Sequence, residues 1–318
     1  MHTAAEGRTG HLSLEPDHVE EFIGRFPEDR VPSLAAFRDA EIYREATHTA
    51  RLSFPDTLEA ANELLDAPGI AAAQISFPAM EQLGPQAETL LMATLAVSIG
   101  GCMVQACIDS RNRTPFELTK TSPANHERLV SAGLSHFGLG DVHGFHTDIR
   151  VDPETRAVFV PNRIVLHNIY IGFEQPGDLL WVPVHSWPDR KEFRTAFGVG
   201  RPYTMKLTPD AREGDDLAAV DIKQISVPVF STTSAHEELV CVNGVITADA
   251  AQPDLPARMQ SSLARSPGRI ALPQATRQVI ILANQYGLHG RDMFKDPTDG
   301  IRVHLRMMDA RGTRLGTP

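Results

Sequence analysis

The sequence predicts an α+β fold, mainly β in its later part, in which a single domain builds a β-core and packs helices outside it. Three observations predict it. Helical periodicity concentrates in the first hundred residues; six strand-like apolar runs follow between residues 163 and 308; and no linker, repeat or low-complexity tract divides the chain. With 318 residues, 42% of them hydrophobic and 22% charged, the chain can bury a substantial core as an ordinary globular protein. Its 23 glycines and 23 prolines punctuate long strand-and-loop stretches.

The elements follow in order. Residues 33–50 and 56–66 read as amphipathic helices, the second with Asp56 as N-cap. A third begins after Gly84-Pro85 and runs to about Ile99. It opens the apolar segment "LLMATLAVSIGGCMVQACI", residues 90–108, close to the ~20 apolar residues that span a membrane. Thr94, Ser98, Gln105 and Gly100-Gly101 instead divide it into a buried helix and a core strand. The strand runs are "RIVLHNIYIGF", "DLLWVPV", "KQISVPVF", "EELVCVNGVI", "RQVIILANQ" and "IRVHLRMM". Short helices are expected in "HSWPDRKEFRTAF" and "PARMQSSLARS".

Charge and cysteine usage narrow the function. A formal charge of −10 argues against a nucleic-acid surface, which needs clustered Lys and Arg. Cys102, Cys107 and Cys241 are odd in number and form no CxxC, so neither a disulfide framework nor a zinc knuckle is expected. The N-terminus lacks the basic and apolar regions of a signal peptide, and the expected location is cytoplasmic, with no membrane partner.

The chemistry begins at "HGFHTDIRVDP". On a strand, residues i and i+2 share a face, so His146 and Asp148 present an imidazole and a carboxylate side by side. Two ligands hold a metal poorly, and the third candidate is His289 in "NQYGLHGRDMF". In "IRVHLRMM", Arg302, His304 and Arg306 alternate with apolar residues, giving one cationic face suited to an anion. Two histidines and a carboxylate with open positions is the donor set of non-haem iron(II) oxygenases. By contrast, His143 precedes Gly144 and reads as loop; His167 reads as a hydrogen-bonded core histidine; His185 and His236 lie near turns; and Arg291 reads as solvated or supporting.

These stretches together resemble the clavaminate synthase-like branch of the Fe(II)/2-oxoglutarate-dependent oxygenases, the superfamily related to TauD and TfdA, which includes amino-acid hydroxylases of antibiotic biosynthesis. The matching text is "LLMATLAVSIGG", "GFHTD", "NQYGLHGRDMF" and "GIRVHLRMM", and the resemblance covers about residues 75–308. It implies a double-stranded β-helix (jelly-roll) core over 101–318 behind a largely helical part over 1–100. It implies that His146, Asp148 and His289 bind Fe(II), that Arg302 pairs with the far carboxylate of 2-oxoglutarate, and that Arg306 holds the substrate's carboxylate. Glu237 and Glu238 fall where relatives place acidic residues that read a substrate side chain. The implied activity uses 2-oxoglutarate and O2 to hydroxylate an unactivated C–H bond of a free amino acid or amino-acid-derived small molecule, releasing succinate and CO2. Relatives often carry glutamate where Asp148 stands, and the threonine that gives them a second 2-oxoglutarate contact has no counterpart in "FEQPGDLLWVPV". Other outcomes stay open: desaturation or ring closure by the same oxidant, a cupin-type metal hydrolase or isomerase that ignores 2-oxoglutarate, and a non-catalytic binding module.

Overall fold

A computed structural model of the chain describes residues 10–27, 30–109, 112–124, 143–152, 157–206, 224–233, 237–243, 245–246 and 251–316. His236 and most of the loop before His143 lie outside these residues.

The chain opens with β1 (His11–Ser13) and α1 (Pro16–Gly24), then a 3-10 turn at Leu34–Arg38. Next come α2 (Ala40–Ser53), α3 (Pro55–Asp66), β2 (Ala72–Ser76) and α4 (Pro85–Met103). The expected helix over 33–50 therefore divides at Asp39, whose carboxylate accepts from the Glu41 N–H at 2.7 Å and caps α2. In α3 the N-cap is Phe54, with Pro55 at the first helical position, so Asp56 lies in the first turn instead of capping it.

The third helix departs most from expectation. It runs straight through Gly100-Gly101 to Met103, and no strand follows; residue 106 makes only an isolated bridge to Asp309. The glycines permit contact where a break was expected. A Cβ on Gly100 would collide with the Met307 sulfur, and one on Gly101 with Thr47. By length and composition α4 could cross a membrane, but 61% of its apolar window is buried inside the protein.

Strands dominate from there: β3 (Glu117–Thr121), β4 (His143–His146), β5 (Arg150–Val151), β6 (Val158–Pro161), β7 (Ile164–Gln175) and β8 (Leu179–Pro183). The helix α5 (Arg190–Phe197) precedes β9 (Pro202–Lys206), β10 (Gln224–Pro228), β11 (Phe230–Thr232), β12 (Glu238–Val240) and β13 (Val245–Ile246). After α6 (Leu255–Ala264) come β14 (Ile270–Leu272), β15 (Gln278–Leu282), β16 (Gly287–Arg291), β17 (Lys295–Met308) and β18 (Gly312–Gly316). Two of the expected strands are each split in two, "KQISVPVF" into β10 and β11 and "EELVCVNGVI" into β12 and β13. His143 belongs to β4 and is not loop.

The result is an α+β arrangement around two principal sheets. The larger has the order β1-β2-β15-β7-β17-β3 and the smaller β14-β8-β16-β4; among the described strands of these two sheets, β1 and β2 pair in parallel and the rest antiparallel. The first hundred residues are mostly helical, and their two short strands, β1 and β2, extend the larger sheet. Helices α1 to α4 cover one side of that sheet in a core containing Phe22, Phe54, Leu95, Ile99, Leu305 and Met307. A second core sits behind the smaller sheet, where Leu180, Val182 and Leu288 meet Phe193, Phe197, Met259 and Leu263.

Alternation decides which residues face the space between the sheets. On β17, Leu305 and Met307 enter the helix-side core, so Arg302, His304 and Arg306 point away from it. On β16, Leu288 enters the second core, and its neighbour His289 faces the other way, beside Trp181 of β8.

Candidate metal centre

His146 and His289 are paired residues on the adjacent antiparallel strands β4 and β16, so the sheet itself sets them side by side. Their ring centroids are 4.1 Å apart. Asp148 lies two residues beyond β4, outside the strand, and not on it as the His-x-Asp spacing suggested. It still reaches the pair: its Oδ2 is 3.9 Å from His289 Nε2, and ligand atoms of His146, Asp148 and His289 all lie within 4.8 Å of one another.

Several contacts fix this corner. Asn284, fully buried, takes the Asp148 N–H on its Oδ1 at 3.0 Å and donates from Nδ2 to the carbonyls of Asp148 (2.9 Å) and Pro161 (3.1 Å). The Thr147 hydroxyl donates to the Val240 carbonyl at 2.8 Å. The Gln260 amide on α6 both accepts from and donates to the backbone of Phe145, at 2.7 Å each, as a neighbouring strand would. Gly287 lets the backbone of β16 pass over the Trp181 ring, which a Cβ there would strike.

The donor atoms suit a divalent transition metal. The Nδ1 of His146 donates to the Gly144 carbonyl at 3.0 Å, leaving Nε2 for an ion. Burial holds His146 below the ordinary histidine range, although Asp148 opposes the shift. Burial, then nearby His146 and Arg306, hold His289 well below it. Both imidazoles are therefore neutral, the form that ligates. Asp148 Oδ2 is buried without a hydrogen-bond partner in the protein, as is Nδ1 of His289. A metal ion would answer the first of these.

The arginine strand places two guanidinium groups on the same side of β17. Arg302 donates from Nε to Asn168 Oδ1 at 2.8 Å and from Nη2 to Gln274 Oε1 at 3.0 Å, and no carboxylate pairs with it among the described residues. Its guanidinium lies 5.3 Å from the ring centroid of Phe294, on which Arg291 also stacks at 4.6 Å. Burial and the charge of Arg291 lower Arg302 to about 9. Arg291 is buried, not solvated. His304, between the arginines, is held well below the ordinary range by burial and by Arg302, Arg306 and Arg291, and its Nδ1 is buried without a partner.

Arg306 already bridges two acids. It donates to Glu117 Oε2 from Nη2 at 2.7 Å and from Nε at 3.3 Å, and to Asp148 Oδ1 from Nη1 at 3.0 Å. The two acidic candidates elsewhere are also engaged. Glu238 meets Arg190 and Arg194 at 3.0 Å each, and Glu237 accepts from the Tyr286 hydroxyl, which raises that phenol to about 12. Among the described residues these ion pairs and this hydrogen bond lead to Arg190, Arg194 and Tyr286, not to the triad or the arginine strand. His167 is the expected core histidine, bonded through Nδ1 to the Gln278 carbonyl at 2.8 Å. His185 hydrogen-bonds Arg190 through Nδ1 at 3.3 Å.

Sequence reasoning located the three candidate ligands and both arginines but missed Asn284, Glu117, Gln260, Asn168, Gln274 and Phe294. Asn284 and Phe294 stand at the two ends of "NQYGLHGRDMF", so distance from His289 could have drawn attention to them. Glu117 and Gln260 carry no local signal.

The fold is that of non-haem iron oxygenases acting on amino acids. One match is asparagine oxygenase solved with Fe(II), 3-hydroxyasparagine and succinate, at 16% identity and a TM-score of 0.65, covering 94% of this chain and 93% of that one. Another structure of asparagine oxygenase, AsnO, matches at 15% and 0.65, covering 97% and 99%. The iron oxygenase OrfP, with iron and α-ketoglutaric acid, matches at 14% and 0.61, covering 94% and 93%. No protein-family profile and no curated protein sequence matches the chain.

Proposed function

We propose that this chain is an Fe(II)/2-oxoglutarate-dependent oxygenase that hydroxylates an unactivated C–H bond of a free amino acid or an amino-acid-derived small molecule, as a single cytoplasmic domain with a double-stranded β-helix core. The observation that carries the reading is the juxtaposition of His146, Asp148 and His289, within reach of one ion, with the half-buried Arg302, which pairs with no carboxylate among the described residues, facing the same space. The fold neighbours add support, since AsnO and OrfP are solved with iron, with 2-oxoglutarate or succinate, and with hydroxylated asparagine or arginine.

His146, Asp148 and His289 would hold iron on one face, leaving positions open for cosubstrate and dioxygen. Bound there, Fe(II) with 2-oxoglutarate and O2 supplies an oxidant able to take a hydrogen atom from carbon, with succinate and CO2 as coproducts. The chain's own residues do the binding and positioning. Arg302 receives the far carboxylate of 2-oxoglutarate, oriented by Asn168, Gln274 and the Phe294 ring. Arg306, four residues along the same strand and paired with Glu117 and Asp148, would receive the substrate's carboxylate beside the metal ligand. Glu238 already has two guanidinium partners, so no positive charge is assigned to the substrate side chain.

A hydrolytic metal site could use the same three ligands; the cationic pocket beside them favours the oxygenase. The test is anaerobic titration with Fe(II) and 2-oxoglutarate, followed by a screen of free amino acids for stimulated succinate formation. Failure to consume 2-oxoglutarate with any substrate would reject the reading.

A further inference from the structure

We infer that Glu117 is a positioning residue for the metal ligand Asp148, acting through Arg306. The inference rests on the oxygenase reading of the site and adds a residue to it.

A buried aspartate has two oxygens, and rotation about its last bond can present either one, or both, to an ion. Here the two are distinguished. Oδ1 accepts from Arg306 Nη1 at 3.0 Å, whereas Oδ2 is buried without a protein partner and faces His289 Nε2 at 3.9 Å. The guanidinium thus selects which oxygen is left for the metal. Arg306 in turn has a long, flexible stem, and something must hold it at that angle. Glu117 does so, taking both Nε and Nη2 on one oxygen.

The sheet builds this contact in. Glu117 on β3 and Arg306 on β17 are directly opposite residues of an antiparallel pair, so their side chains rise on the same face a few ångströms apart. The Glu117 side chain is 17% exposed, that of Arg306 27%, and that of Asp148 6%, so Arg306 is the most exposed of the three and joins two more buried carboxylates. Glu117 also cancels a charge. Its removal would add one positive charge to the surroundings of a site for a divalent cation, and the guanidinium would compete with that cation for Asp148. Misorientation and repulsion act in the same direction, and both weaken metal binding.

The test is equilibrium binding of Co(II) to the full chain under anaerobic conditions, read by the visible bands of the bound ion, alongside thermal unfolding of the metal-free protein. Glu117→Gln, which keeps shape and removes charge, should weaken Co(II) binding about tenfold or more, within the 10–100-fold range typical of residues that orient ligands. Glu117→Ala should do the same, while the metal-free unfolding temperature changes little. Because Glu117 acts through Arg306, adding Glu117→Gln to Arg306→Met should produce no further loss beyond that of Arg306→Met alone. Unchanged Co(II) affinity in both Glu117 variants, with or without a loss of stability, would identify an ordinary cross-strand ion pair and overturn the inference. So would additive losses in the double variant. An unsubstituted protein that binds no metal is a different result, and it would remove the oxygenase reading together with this one.

Discussion

Replacing Asn284 by aspartate tests whether the backbone around Asp148 is held for the metal's sake. The amide makes three bonds at a fully buried position: one accepted from the Asp148 N–H and two donated, to the carbonyls of Asp148 and Pro161. Asn284→Asp keeps the acceptor and the size but loses both donated bonds, turning a carboxyl oxygen toward two carbonyls. Each buried carbonyl left unpaired costs about 1–3 kcal/mol, so the variant should be about 2–6 kcal/mol less stable. For a chain of this size that is a fall of about 3–9 °C in unfolding temperature. Burial raises the pKa of the new carboxyl, and once protonated it can donate to one carbonyl again, so part of the loss should return as the pH falls. Metal affinity should fall about 10–100-fold, because the ligand's main chain is no longer fixed. Trp181 is the cross-strand neighbour of His289, so quenching of tryptophan fluorescence by Co(II) reports binding directly. A variant that loses stability yet binds Co(II) as tightly as its parent would show that Asn284 holds the fold and not the ligand, refuting the reasoning.

Other perturbations separate the remaining roles. Arg302→Ala should raise the 2-oxoglutarate concentration needed to form the anaerobic Fe(II)–2-oxoglutarate absorption band by about tenfold to a hundredfold while leaving Co(II) binding intact; equal loss of both would assign Arg302 to the metal site instead. Phe294→Leu keeps an apolar plug but removes the ring face under two guanidinium groups. At about 1 kcal/mol for a buried cation–π contact, it should weaken 2-oxoglutarate about fivefold, and no change would reduce Phe294 to packing. His167, buried against Phe77, is lowered to about 4, so its neutral form is the one the fold requires. Its contribution is complete above the unfolded value of about 6.5 and is lost as pH falls from there toward 4, about 3 kcal/mol in all. Denaturant unfolding of His167→Phe should show a shallower decline over that window than the parent, and parallel curves would deny the residue this role.

Much of the candidate site was legible because its chemistry lies in short motifs. His146 and Asp148 are two apart, close enough to meet although Asp148 lies past the strand end, and strand alternation puts Arg302 and Arg306, four apart, on one face. What joins the motifs was not legible. Glu117 reaches Arg306 across 189 residues and Gln260 reaches Phe145 across 115, and neither local composition nor periodicity records such pairings. The fold divides in the same way. The long strands β7 and β17 stood out as apolar runs, but β2, in "AAAQIS", was too short to separate from a buried turn before its partners β1 and β15 were known. At α4 the local rule gave the wrong answer. Glycine pairs usually interrupt helices, but here the loss in helix propensity is offset by close packing against a strand.

That packing brings the helix layer against the back of β17. Gly100 abuts Met307, and Met307 is the residue after Arg306, its side chain on the opposite face of β17. A methyl group added at position 100 would meet the end of the Met307 side chain first and Val165 next, so room for a larger residue in this helix must come from a turn of Met307 or from the two central strands of the larger sheet.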